Sequence, residues 1–404
     1  MKKRAYIILS IAILSLAAYP AFAWDETGHK IAAYIAWQQM TPEVREKVIH
    51  ILLSAPEDAQ LSTFYMPYGS RSVDARKLEF FMFAATWSDV IKDTSFKTRE
   101  KGYNHSDWHY HDTLWTTKDG KVVYLPEMEK AGKLMEKLAD FNTVIRGSAS
   151  DPEKAVAIAW LEHLIGDIHQ PLHTTGHSKD AEDMKGDQGG NLFMLSPSGA
   201  DRPLRLHAFW DGVIGQNMPN TADACDSDYM YPIGQMIMKA YPYTALQGRI
   251  ASGKFAQWEK EGVELSTTEV YEGITRNQAP SDEYKKKAFK IGQERLALAG
   301  YRMGDLFNEV FGTAKPASAA SGDGIPCQMI RKVMYPITQT SSVKQTLEIA
   351  LLDLCPKQSA ARPMMAFFIK GQQVMKEYDV VKVFKSEDDA RKFAADNGIT
   401  DVNL

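Results

Sequence analysis

The chain has 404 residues, with 47 lysines and arginines against 51 aspartates and glutamates and a formal net charge of −4. Its 44% hydrophobic and 24% charged content is that of a globular protein, with room for one large domain or two smaller ones. This balance excludes a broad basic patch as the means of holding a polyanion; any binding to nucleic acid must use something else, such as bound cations.

Residues 1–23 read as a secretory signal. Lys2, Lys3 and Arg4 precede an apolar run from Ala5 to Ala18, and Ala21-Phe22-Ala23 has the small-x-small form of a signal-peptidase site. Cleavage after Ala23 makes Trp24 the new N-terminus and sends the protein to the periplasm or the medium. Loss of the three cations leaves about −7 on the mature side chains. No other apolar run approaches the roughly twenty residues of a membrane span.

Helical periodicity runs from Glu26 to Met40. Thr41-Pro42 supplies an N-cap with proline at the first helical position, opening a helix over 42–53. Further helices are predicted over 76–91, 126–146 and 152–169, the last two separated by Gly147-Ser148-Ala149-Ser150. Thr174 to Pro203 is polar and rich in Gly and Asp, a long loop of the kind that often carries function. Ser281 opens another helical run, to about Phe311. Residues 313–325 read as a flexible linker. The remainder, 326–404, reads as a small α+β extension with a strand at Val380–Phe384 and a helix at Ser386–Asn397. The cysteines Cys225, Cys327 and Cys355 allow one bridge at most, with Cys327–Cys355 as the pair that would staple the extension; none has a zinc-finger spacing.

The chemistry centres on residues 163–173, His-Leu-Ile-Gly-Asp-Ile-His-Gln-Pro-Leu-His. His163 and Asp167 stand four apart and so project from one helix face. Pro171 predicts a helix end near Gln170, leaving His173 free to turn back toward the same centre. Imidazole and carboxylate together suit zinc. One such pair arises by chance on many helices, but His207 and Asp211 form a second at the same spacing. With His29, Asp89 and His109 nearby in type, a polymetal site is predicted.

Trp24-Asp-Glu-Thr-Gly-His29, Trp87-Ser-Asp89, Trp108-His109-Tyr110, His163…Asp167…His173, Gly189-Gly190-Asn191 and Leu206-His207…Trp210-Asp211 together resemble the zinc-dependent S1/P1 nuclease family, in order and in spacing. The likeness extends to Ala299-Gly-Tyr-Arg-Met-Gly-Asp-Leu-Phe-Asn308, similar to that family's closing helix. It implies a mainly α, phospholipase C/nuclease-type domain over 24–312 with a trinuclear zinc cleft. On this likeness Asp89, His109, His163 and Asp167 hold one zinc, and His173, His207 and Asp211 a second. The third takes His29, a bridging Asp167, and the amine and carbonyl of Trp24, which ties metal binding to export.

The implied activity is hydrolysis of single-stranded DNA and RNA to 5′-phosphorylated products by a zinc-activated hydroxide, with 3′-nucleotidase activity, by a monomer. Asp89, Asp167 and Lys92 are the implied catalytic residues; Lys92, Gly190 and Asn191 the implied substrate contacts. Lys92 stands where the family commonly has Arg, keeping the charge but losing the bidentate fork. Trp87, Trp108 and Trp210 read as packing around the metal shell, and His105, His111, His169 and His177 as surface or supporting residues. Asp112 could orient a ligand, whereas Asp183 and Asp187 read as solvated loop acids. Two other readings compete. A zinc-dependent phospholipase C is disfavoured by the short Trp24–His29 gap and by Asp211 in place of Glu. A non-catalytic zinc-binding protein would have lost ligands, and none is missing.

Overall fold

Asp25 accepts a hydrogen bond from the Gly28 N–H at 3.0 Å and so caps α1 (Glu26–Gln39), the helix on which the first unit is built. In a computed structural model, residues 24–312 are described apart from 68–70, 126–130, 180–184, 197–203 and 223; beyond 312 the described parts are five strands. The chain divides into two compact units, Met1–Lys315 and Pro316–Leu404.

The first unit is mostly helical. After α1 come α2 (Pro42–Leu53), α3 (Val73–Ala84), α4 (Trp87–Val90), α5 (Lys97–Tyr103), α6 (Leu134–Arg146) and α7 (Asp151–Asp167). Then follow α8 (Leu206–Asp211), α9 (Val213–Asn217), α10 (Asp226–Ala240), α11 (Tyr243–Leu246), α12 (Phe255–Leu265) and α13 (Asp282–Phe311). Gly28 to Trp37 is buried on every side, so α1 is a core helix rather than an amphipathic surface one. α13 lies along it. At Gly300 and Gly304 an added Cβ would stand 2.5 Å from Ile35 Cβ and 2.7 Å from Gln39 Cβ, so only glycine allows this approach. α7, buried along most of its length, packs against α1, α2, α6 and α13. These central helices carry the sequence-named residues His29, His163 and Asp167.

Several boundaries differ from the predicted ones, each for a local reason. The run over 76–91 is two helices, because Thr86 turns its N–H (3.0 Å) and hydroxyl (2.8 Å) back to the Phe83 carbonyl. The helix predicted over 126–146 starts at Leu134. Gly132 sits at φ +86°, and Leu134 N–H and Ala131 C=O bond to the backbone of Tyr110 and Asp112 instead. α7 ends at Asp167 rather than near Gln170, and Pro171–His173 forms a separate 3₁₀ turn.

A three-stranded sheet escaped the sequence reading: β1 (Thr113–Lys118) pairs antiparallel with β2 (Lys121–Tyr124) and parallel with β3 (Thr175–His177), which lies inside the predicted loop. Its hairpin turn is Asp119-Gly120, both at positive φ, a strong turn signal between strands. α10 and α12 also went unpredicted.

In the second unit β4 (Lys332–Ile337) lies between β5 (Thr346–Ala350) and β8 (Lys382–Phe384), and β6 (Met364–Ile369) pairs antiparallel with β7 (Gln372–Glu377). The strand predicted at 380–384 corresponds to β8. The predicted linker, the 386–397 helix, Cys327, Cys355 and the signal segment lie outside the described residues.

Candidate metal centre

Four helices and two turns bring the predicted residues together. His29 stands on the first turn of α1, Asp89 in the short α4, and His109 just after a 3₁₀ turn at Ser106–Trp108. His163 and Asp167 share one face of α7, His173 closes the Pro171–His173 turn, and His207 and Asp211 share one face of α8. Asp25 N–H donates to the Asp211 carbonyl at 3.1 Å, so the start of the described chain is tied to α8. Trp24 is fully buried against Gly28.

Among the described residues, three groups place one donor atom each within 4.8 Å of one another: His29, His163 and Asp167; Asp89, His109 and His163; and His173, His207 and Asp211. Asp167 joins the first two. Its Oδ1 lies 3.3 Å from His29 Nε2, while its Oδ2 lies 3.2 Å from His109 Nδ1 and 3.3 Å from His163 Nε2. In the third group Asp211 lies 3.9 Å from His173 Nε2 through one oxygen and 3.6 Å from His207 Nε2 through the other.

The protonation of these groups fits a cation. His163 Nδ1 lies 2.9 Å from the Ala85 carbonyl, His173 Nδ1 2.7 Å from that of His109, and His207 Nδ1 2.7 Å from that of Gly189. A carbonyl only accepts, so each Nδ1 carries the proton and each Nε2 turns a lone pair inward. The break between α3 and α4 is what frees the Ala85 carbonyl for this. His29 Nδ1 and Nε2, His109 Nε2, Asp167 Oδ1, His173 Nε2 and His207 Nε2 are buried with no hydrogen-bond partner among the described residues. Burial lowers the pKa of His163 to about 3 and of His207 to about 4, and holds His29, His109 and His173 well below the usual imidazole range. Burial also raises the carboxyls of Asp167 and Asp211 well above theirs. Neutral imidazoles, buried carboxyls and inward nitrogens, of which His29 Nε2, His173 Nε2 and His207 Nε2 are without a hydrogen-bond partner among the described residues, form a donor set that suits a divalent ion.

Other residues named from the sequence lie around this array. Lys92 Nζ donates to Asp89 Oδ1 at 2.5 Å. The Gly189-Gly190-Asn191 turn abuts His207 through the Gly189 carbonyl, and Asn191 Nδ2 donates to the Gln188 carbonyl at 3.0 Å. Trp87 and Trp210 are buried, with their Nε1–H groups on the Ala59 carbonyl and the Tyr284 hydroxyl, as packing residues should be. Trp108 stacks on His105 at 3.8 Å. His111 pairs with Glu259 at 3.2 Å, and His177 lies against Trp115 and Tyr271.

Asp187 overturns its expectation. It is 3% exposed, not a solvated loop acid. Its Oδ1 accepts from the N–H groups of His177 and Gly190, both at 3.0 Å, and its Oδ2 from the Tyr271 hydroxyl at 2.8 Å. It therefore pins the turn whose Gly189 carbonyl orients His207. His169 was expected at the surface or in support, and it is fully buried: Nδ1 bonds the Ile165 carbonyl at 2.6 Å and Nε2 accepts from Arg302 at 2.7 Å. Arg302 and Arg295, with Glu261 between them, form a buried clamp on the turn after α7 that the sequence reading missed. Asp183 lies outside the described residues.

A family model described as S1/P1 nuclease matches residues 24–312. The chain is similar to Endonuclease 5 of Arabidopsis thaliana, 22% identical over 77% of this chain and 98% of that protein. It is also similar to Nuclease S1 of Aspergillus oryzae, 24% identical over 73% and 94% respectively. Endonuclease 2 of Arabidopsis thaliana is 28% identical over 39% of this chain and 52% of its own length.

Proposed function

The chain belongs to the S1/P1 nuclease family, and from that premise we propose that it is an exported enzyme hydrolysing single-stranded DNA and RNA, and the phosphate of 3′-nucleotides, with the aid of three zinc ions. Membership makes it a hydrolase of phosphoric ester bonds; the substrate form, the metal count and export are our reading. The observation that carries it is the set of buried imidazoles and carboxylates gathered into three groups, the first two sharing His163, with His29 Nε2, Asp167 Oδ1, His173 Nε2 and His207 Nε2 lacking hydrogen-bond partners among the described residues.

The His29, His163 and Asp167 group, the Asp89, His109 and His163 group, and the His173, His207 and Asp211 group are the residues that would hold the ions, with the amine and carbonyl of Trp24 completing the first after signal cleavage. Zinc there would polarise the phosphate oxygens and make a water acidic enough to attack phosphorus near neutral pH. The chain's own residues set the geometry. Asp167 spaces two groups by offering one oxygen to each. Asp89 is held by Lys92, whose ammonium lies at the edge of the array where a phosphate would arrive. The Gly190–Asn191 turn, next to the Gly189 carbonyl that holds His207 Nδ1, would contact the nucleoside whose O3′ departs.

The ligands lie deep: His163 and Asp167 are fully buried, and Asp89 keeps only 12% of its side chain exposed. A phosphate reaches such a floor when its strand can bend and its bases can leave a stack, which favours single strands. It also answers the acidic net charge, since the ions, not a basic surface, neutralise the phosphate. No helix among the described residues is long and apolar enough to cross a membrane.

Incubation with single-stranded DNA, duplex DNA, RNA, 3′-AMP and phosphatidylcholine, with and without a chelator, tests this. The expected result is chelator-sensitive cleavage of the single strands and of 3′-AMP. Cleavage of the lipid without cleavage of any nucleotide would contradict it.

A further inference from the structure

A cavity of about 460 Å³ opens beside Asp89, within the range of small-ligand sites. Its walls are apolar: Phe64 and Phe83, with ring centroids 6.0 Å apart at 44°, and Met66 and Val90, which are 64% and 37% exposed. The polar atoms facing it are acceptors. The Thr86 hydroxyl gives its proton to the Phe83 carbonyl at 2.8 Å and the Thr63 hydroxyl to the Gln60 carbonyl at 2.5 Å, while Glu26 adds a carboxylate whose Oε1 is paired with Lys30 at 2.5 Å. None of the described residues lining it is basic, so a phosphate finds no cation among them, and an acyl chain gains nothing from their hydroxyl and carboxylate oxygens. A flat ring carrying N–H donors suits both the aromatic faces and the acceptors.

We propose that this cavity binds the base of the nucleotide on the 3′ side of the scissile phosphate, an inference that rests on the nuclease reading above. In that reading the nucleoside bearing the departing O3′ sits by the Gly189–Asn191 turn, next to His207. Asp89 belongs to a different donor group, so the cavity that it borders lies where the chain continues past the phosphate. Phe64 offers the stacking surface, Phe83 stands tilted against it with the Lys30 ammonium 3.9 Å from its own ring centroid, and exposed Met66 forms the rim.

The test compares kcat/KM of the zinc-loaded enzyme on the dinucleotide ApA and on 3′-AMP, which has no nucleotide beyond its phosphate. Removing one stacking face is worth about 1–3 kcal/mol, or roughly 5- to 150-fold. Phe64→Ala is expected to lower the ApA to 3′-AMP ratio by about tenfold, with Met66→Ala lowering it less and the loss carried mainly by KM. An unchanged ratio in both variants overturns the subsite, as does an equal fall on both substrates in the rim variant Met66→Ala. A wild-type protein that holds zinc but cleaves neither substrate contradicts the nuclease reading itself, and the subsite falls with it.

Discussion

The carboxylate of Asp187 accepts three hydrogen bonds while almost completely buried, and it reaches His207 only through backbone: Asp187 to Gly190 N–H, then Gly189 carbonyl to His207 Nδ1. Removing it strands two N–H groups and a phenol in the interior. Asp187→Ala should cost about 1–3 kcal/mol of stability and, because supporting shells orient metal ligands, weaken zinc binding by about 10–100-fold; thermal melts and zinc titration of one variant read both. Asp112 makes a pH prediction. Burial, helped by the Asp187 charge, pushes its carboxyl up to about 8. Between about pH 4 and 8 the folded state then keeps a proton that the unfolded state has released, so this group's contribution becomes less favourable as pH rises. Asp112→Asn should thus raise Tm relative to wild type at pH 8 and leave the difference near zero at pH 4; the reverse order would refute the shift. Asp187 could not be read from sequence because burial of an acid is set by distant partners such as Tyr271. His163 and Asp167 could, because their four-residue spacing already fixes one helix face.

Among the elements, the turn from α7 to His173 is held from outside by α12 and α13. Arg295 Nε donates to the His169 carbonyl at 3.0 Å, Arg302 bonds His169 Nε2, and Glu261 neutralises both guanidinium groups. Glu261→Ala leaves two buried cations uncompensated and should destabilise the unit by about 3–5 kcal/mol, whereas Glu261→Gln should recover part of that loss, as denaturant melts would show. Gly166 is as constrained as the clamp: a Cβ there would stand 2.5 Å from His29 Nδ1, so Gly166→Ala should displace His29 and lower the zinc content per chain. Elements with local signals were legible. Thr41-Pro42 and Ser281 open α2 and α13 as their capping chemistry requires. The break at Ala85–Thr86 was not legible, since helical periodicity continues across it and the carbonyl it frees matters only once His163 packs there. Asp119-Gly120 was a turn signal present in the sequence and passed over. Pro232 inside α10 hid a real helix behind a residue that usually ends one.

For the whole molecule, the separated motifs of 24–211 meet because two core helices, α1 and α7, and two short ones, α4 and α8, converge with two 3₁₀ turns, and several of the buried donor atoms there have no hydrogen-bond partner among the described residues. Binding of ions to the folded state alone stabilises it, so chelation should lower Tm markedly and excess zinc should restore it. What the sequence could show of this site was its list of residues and their order; what it could not show was the pairing, in which His163 serves two groups and each oxygen of Asp167 faces a different one. That sharing is the core of the account. The direct test is zinc content by elemental analysis, alongside 3′-AMP turnover, for the exported wild type and Asp167→Ala. The expected result is about three zincs in the wild type, loss of metal in Asp167→Ala and turnover reduced to background. An Asp167→Ala protein that keeps both its zinc and its turnover would contradict it.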